Sequence, residues 1–131
     1  MSEEENKEIL VYFVNPQKNG SIKLQPSELK TAAISRRKLL NLDVLDFNFG
    51  LQFTSNKFMP FFGSCETGLF SSSRPVDEIE NGDICLVKLK DTNENYLATK
   101  EEVGFFELDT SYLGSFEDIE LMGVLINIRT K

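Results

Sequence analysis

The sequence predicts a mostly β domain, a small barrel or coiled pair of sheets with at most one or two short helices. Three observations lead there. Apolar and polar residues alternate strictly from Leu45 to Thr54, the remaining apolar runs are short and rich in β-branched and aromatic residues, and turn-forming residues separate them at short intervals. A chain of 131 residues suits one compact domain with a single core. The 40% hydrophobic content marks a globular chain, and eleven Phe with no Trp point to a Phe-rich core.

Residues 1–8 are charged and read as a flexible acidic tail, leaving residues 9–131 as the β domain. "ILVYFV" at 9–14 is a strand, "NPQKNG" a turn and "SIKL" the returning strand of a hairpin. Residues 26–40, "PSELKTAAISRRKLL", follow a helical stripe only loosely and read as a short helix or an extended loop. From Leu45 onward, Leu45, Phe47, Phe49, Leu51 and Phe53 fall on one side of a strand and polar groups or Gly50 on the other, so that side is expected to be buried. Residues 63–82 are rich in Gly, Ser and Pro and read as a long loop. "ICLVKLK" at 84–90, "YLAT" after the turn "DTNEN", "VGFFEL" at 103–108 and "ELMGVLINIR" at 120–129 complete the strands. In "ENGD", Asn81-Gly82 is a turn former that supplies a left-handed conformation.

Composition excludes several functions. A formal charge of −7 gives no basic face for a phosphate backbone, so direct nucleic-acid binding is not expected. Without His, neither a Ser/His/Asp triad nor an ordinary Cys/His zinc site can be built from Cys65 and Cys85, and no metal or cofactor is expected. Cys65 lies in the loop and reads as the exposed thiol, Cys85 in a strand as a core residue. Glu101, Glu102, Glu117, Asp118 and Glu120 lack the spacing of a calcium loop and read as a solvated face. No apolar run reaches the roughly 20 residues a membrane span needs, and the acidic "MSEEENKE" is unlike a signal peptide, so a soluble cytoplasmic protein is expected.

The order of these pieces resembles the C-terminal domain of the LexA and phage-repressor family, the S24 peptidases. In that family an amphipathic strand ends in a loop reading roughly Gly-Asp-Ser-Met-x-Pro, a Gly-Asp turn opens the next strand, a later strand carries a lysine and a Gly-Val strand closes the fold. "LQFTSNKFMPFF" resembles the first piece, "ENGDICLVKL" the second, "NYLATKEEVGFFELDTSY" the lysine strand and its partner, and "IELMGVLINIR" the last. Lys57 stands where the family has its nucleophilic serine, and the family's lysine falls at Leu97 or Ala98. The dyad needs a hydroxyl beside a lysine kept neutral by apolar surroundings, so the resemblance implies a catalytically degenerate domain. The sequence also lacks an Ala-Gly pair for self-cleavage, and only eight polar residues precede the first strand, with no helix-turn-helix.

The resemblance places Asn56, Lys57, Phe58, Pro60, Asp83 and Lys100 around a former catalytic groove. There Lys57 would hold a carboxylate or a partner's C-terminus, unless it is simply an exposed lysine at a strand end. On the last strand Met122, Val124, Ile126 and Ile128 are expected to share one face, either a dimer interface as the family implies or the face of a central core strand. The expected role is non-catalytic: self-pairing as a homodimer, or binding another regulatory protein, in transcriptional or phage-type regulation. Two other readings stand beside it. One is a serine hydrolase with a relocated nucleophile among Ser55, Ser64 and Ser71 to Ser73, served by Lys57 or Lys100. The other is an unrelated barrel that binds a small ligand in its interior.

Overall fold

The computed structural model describes residues 4–35, 47–55, 57–64, 66–108 and 111–129. Nine strands follow one another: β1 (Glu4–Pro16), β2 (Ile22–Ser35), β3 (Phe49–Phe53), β4 (Thr67–Ser71), β5 (Ile84–Leu89), β6 (Asn95–Glu101), β7 (Gly104–Glu107), β8 (Tyr112–Gly114) and β9 (Ile119–Arg129). They form a sheet in the order β2-β1-β3-β4-β9-β5-β6-β7-β8, and β6 returns to β2 through Ile22↔Asn95. Seven strands thereby close into a barrel, and β7 and β8 continue from β6 as a flap. The mostly β fold and the small barrel expected from the sequence are what is found. One 3-10 turn, Val76–Glu78, is the helical element among the described residues.

Alternation explains the layers. One apolar cluster draws on all seven barrel strands: Val14, Ile22, Leu51, Phe53, Phe70, Leu86 and Leu97 are buried in it, with Met122, Leu125 and Ile128 from β9 packed against them. Only the barrel interior is shared by all seven, so this cluster fills it. The opposite faces of β5, β6 and β9 supply a second cluster of Cys85, Val87, Tyr96, Ala98 and Val124, covered by Phe105 of the flap and by Ile79. A third, smaller cluster joins Val11, Phe47 and Leu69 outside β1 and β4.

Several expectations are corrected. Strand β1 begins at Glu4, so part of the expected tail is paired, and β2 runs on to Ser35 where a helix or loop was expected. The cause is local pairing: a continuous antiparallel register with β1 overrides a weak helical stripe, and residues 36–40 lie outside the described set. The alternating strand is shorter than expected. Phe49, Leu51 and Phe53 face inward, but the Asn48 amide donates to the Phe70 carbonyl (2.8 Å) and Phe47 packs in the outer cluster instead; Leu45 lies outside the described residues. Residues 63–82 are not one loop, because β4 lies inside them, buried between β3 and β9.

Strand β9 links β5 to β4, pairing with β5 over residues 119–124 and with β4 over residues 124–129. Two bulges break its alternation: the register skips Met122 against β5 and Ile126 against β4. Met122 and Ile128 consequently pack on the interior cluster, Val124 in the second and Ile126 on the third. The four residues do not share a face, and Val124 is 3% exposed, closed off from any partner.

Candidate functional site: a cleft at the barrel seam

The barrel closes on β2 through a single residue pair, which leaves a seam beside it. Strand β3 delivers the chain into this region at Phe53, and the Phe53 amide donates to the Glu66 carbonyl (2.9 Å), pinching the intervening loop at its base. Within it the amides of Phe61 and Phe62 both donate to the Phe58 carbonyl (2.8 and 3.0 Å), making a tight turn with a cis Met59-Pro60 bond. Phe62 is fully buried and stacks on Phe53 with ring centroids 4.1 Å apart, and Phe58 meets Phe53 edge-on at 5.6 Å. Two phenyl rings thus anchor "SNKFMPFF" to the core.

The same turn leaves its other apolar residues outside. Met59 is 58% exposed and Phe61 36%, with Pro60 beside them. They border a cleft of about 370 Å³ lined also by Lys57 and Phe58 from the same turn, by Leu97 and Leu108, and by Gly20 and Glu107. Glu107 lies close over the β1–β2 turn, since a Cβ added at Gly20 would come within 3.2 Å of its carboxylate oxygens. A mostly apolar cleft lined by both a cation and a carboxylate suits an extended, amphipathic ligand.

Lys57 and Leu97 border one cleft, with Phe58 and Pro60 beside them, whereas Ala98, the other position open for the family's lysine, is buried in the outer cluster. Asn56 lies outside the described residues, as does Cys65. Lys100 and Asp83 are placed elsewhere. Lys100 shares the outward face of β6 with Ala98, where its ammonium donates to Asn81 Oδ1 (3.0 Å) and sits 5.8 Å from the Phe116 ring centroid. Asp83 serves the turn before β5: its carboxylate accepts from the Glu80 amide (3.1 Å), while Gly82, at φ +94°, donates to the Lys100 carbonyl (2.7 Å). The alternation of β6 puts residue 97 inward and residue 100 outward, so Lys100 cannot join Lys57 in the cleft.

Cys85 is buried among apolar groups, and its thiol is pushed up to about 12, chiefly by burial, further by the Asp83 carboxylate, and against the pull of Lys100. It is a protonated core residue, as its place in a strand implied. The serines form no dyad with either lysine among the described residues. Ser55 Oγ accepts from the Lys57 amide (3.4 Å), Ser71 and Ser73 hydroxyls lie 3.0 Å apart, and Ser71 is fully buried.

Gly20, Met59, Phe61, Glu107 and Leu108 are cleft residues that the sequence reading did not single out. Met59 and Phe61 had a usable signal: an apolar run, "FMPFF", continues past the end of a strand into a turn, so part of it must face solvent. Glu107 and Gly20 had none, because their approach depends on barrel closure. A further open depression of about 740 Å³ lies along the turn, lined by Lys18, Lys23 and Asn95 among others, and there Asn19 Nδ2 donates to Glu94 Oε2 (2.7 Å).

No model of a known protein family matches the chain, and no curated protein does. Among the described residues, no helix is long and apolar enough to cross a membrane, and no three His, Cys, Asp or Glu residues are grouped to hold a metal.

Proposed function

We propose that this domain is a non-catalytic protein-interaction module, a degenerate S24-like barrel that holds an extended segment of another protein in the seam cleft. One observation supports the reading: Lys57, where the resemblance places the nucleophile, and Leu97, one of the two positions to which it assigns the lysine, border the same cleft, while the other, Ala98, packs in the outer cluster. Leu97 is 4% exposed and offers an apolar contact where a general base would stand, and Lys57 offers a cation where a nucleophile would. An extended segment laid along the cleft sets alternate side chains against Leu97, Leu108 and Phe61, and a carboxylate on it meets Lys57. A setting in transcriptional or phage-type regulation rests on the resemblance alone. The interior-ligand reading is not favoured, because phenylalanine and leucine side chains fill the barrel.

The test is selection of binding peptides from a displayed random library, followed by titration of the enriched sequences. Apolar peptides bearing an acidic group or free C-terminus are expected, with affinity lost on Met59→Ser plus Phe61→Ser and weakened on Lys57→Ala. Enrichment of nothing, or of peptides indifferent to those substitutions, would overturn the proposal.

A further inference from the structure

Met59 borders the seam cleft with its side chain 58% exposed, while Met122 packs against the interior cluster and Met1 lies outside the described residues. The rings of Phe58 and Phe62, both packed on Phe53, hold the turn in place on either side of it. A thioether so placed is open to oxidation. The backbone donors that follow it in the turn are committed elsewhere. Pro60 has no N–H, the Phe61 and Phe62 amides both donate to the Phe58 carbonyl, and the Gly63 amide donates to Glu66 Oε1. That carboxylate is also a near neighbour of the sulfur, since a Cβ added at Gly63 would lie 3.4 Å from Glu66 Oε1 and 3.6 Å from Met59 Sδ. An ionised carboxylate only accepts, so it repels a sulfoxide oxygen instead of binding it. Among the described side chains that line the cleft, Lys57 alone is a donor.

We propose that Met59 is an oxidation site through which hydrogen peroxide weakens the cleft's hold on its ligand, an inference that rests on the reading of the cleft as the seat of an extended apolar segment. The Met59 sulfur attacks one peroxide oxygen. The S–O bond forms as the O–O bond breaks, the sulfur is oxidised by two electrons, and the second oxygen leaves as hydroxide and takes up the proton to become water. An apolar contact is thereby turned into a polar acceptor. In the free protein water hydrates the new oxygen; a bound segment displaces that water and leaves the oxygen unpaired. Where Lys57 turns toward the oxygen instead, its ammonium is drawn off the carboxylate of the segment. Both routes weaken binding, and neither disturbs the packing of Phe58 and Phe62 on Phe53. A methionine sulfoxide reductase, oxidising two thiols to a disulfide and releasing the oxygen as water, restores the thioether.

The full chain carrying Cys65→Ser, so that this thiol does not compete for the oxidant, is treated with dilute hydrogen peroxide, and an apolar acidic peptide enriched by the display selection is titrated before and after. Peptide mapping should find the added oxygen on Met59 ahead of Met122, and the urea midpoint should hold. The dissociation constant of the peptide should rise about tenfold and return on treatment with the reductase. In Met59→Leu the affinity should be the same before and after peroxide. Oxidation of Met122 first, a peptide that binds both forms alike, or a loss that persists in Met59→Leu would overturn this inference and leave the reading of the cleft standing. A selection that yields no peptide bound by the reduced protein would remove that reading and this inference with it.

Discussion

If Phe62 anchors the cleft loop, Phe62→Ala should cost far more than any change on the loop's outer surface. Its ring is fully buried and stacked on Phe53 at 4.1 Å, and it packs in the interior cluster drawn from all seven barrel strands. Truncating a phenylalanine so placed removes its transfer free energy and leaves a cavity, about 3–5 kcal/mol together. A domain of this size has about 5–15 kcal/mol in total, so Phe62→Ala spends a large part of it. The midpoint of thermal unfolding should fall by about 10–20 °C. Met59→Ala, at 58% exposure, should change stability by no more than about 0.5 kcal/mol. Urea unfolding followed by far-ultraviolet circular dichroism measures both. A loss below about 1 kcal/mol for Phe62→Ala, or equal losses for the two, would refute the division of this loop into an anchored and an offered half.

Three further outcomes follow from particular contacts. Gly123→Ala should destabilise by about 1–3 kcal/mol in the same urea assay, because its Cβ would come within 2.6 Å of the Phe49 ring, which is itself stacked on Phe70. The Cys85 thiol, pushed up to about 12 in the fold from 9.0, keeps its proton while the unfolded chain loses its own. The folded state thus binds more protons between those values. Its stabilising contribution is complete below pH 9 and falls as pH rises toward 12, by up to about 1.4 kcal/mol per unit, and the urea midpoint should drop less steeply there in Cys85→Ala. Lastly, the double substitution Lys57→Ser with Leu97→Lys puts a hydroxyl and a desolvated amine in the lining of one cleft. Intact mass after fluorophosphonate treatment should show one adduct, on the serine introduced at 57, and none on the unsubstituted protein. Labelling of a native serine in the unsubstituted protein would instead support a hydrolase.

The sequence made the barrel's strands legible where apolar runs are bounded by turns, even where, as in β5 and β6, both faces are buried. Residues 84–89 and 95–101 were found because apolar content and flanking turns marked them. Strand β4 was missed because "TGLFS" is short and sits between serine-rich segments, so composition spoke louder than the buried Leu69 and Phe70. The extension of β2 was missed for the opposite reason: its residues are nearly neutral in propensity, and only β1 alongside decides their conformation. At β9 the apolar pattern was read correctly and the faces were not. Two bulges, each set by a neighbouring strand, shift the alternation, and bulges leave no mark in a single strand's sequence. For the site, spacing left Leu97 and Ala98 open, and only the closed barrel puts Leu97 at the cleft with Lys57 and Ala98 on the outer face; period-two alternation from Leu97 would have kept Lys100 apart.

The most direct test of the cleft uses its own methionine. Of three methionines, Met59 borders the cleft and Met122 packs on the barrel interior. With methyl-labelled methionine, titration of an enriched peptide should move the Met59 resonance saturably, with the dissociation constant found by direct binding, and leave Met122 in place. A peptide that binds while Met59 stays still would show that the ligand sits elsewhere, and the seam cleft would lose its claim to be the site.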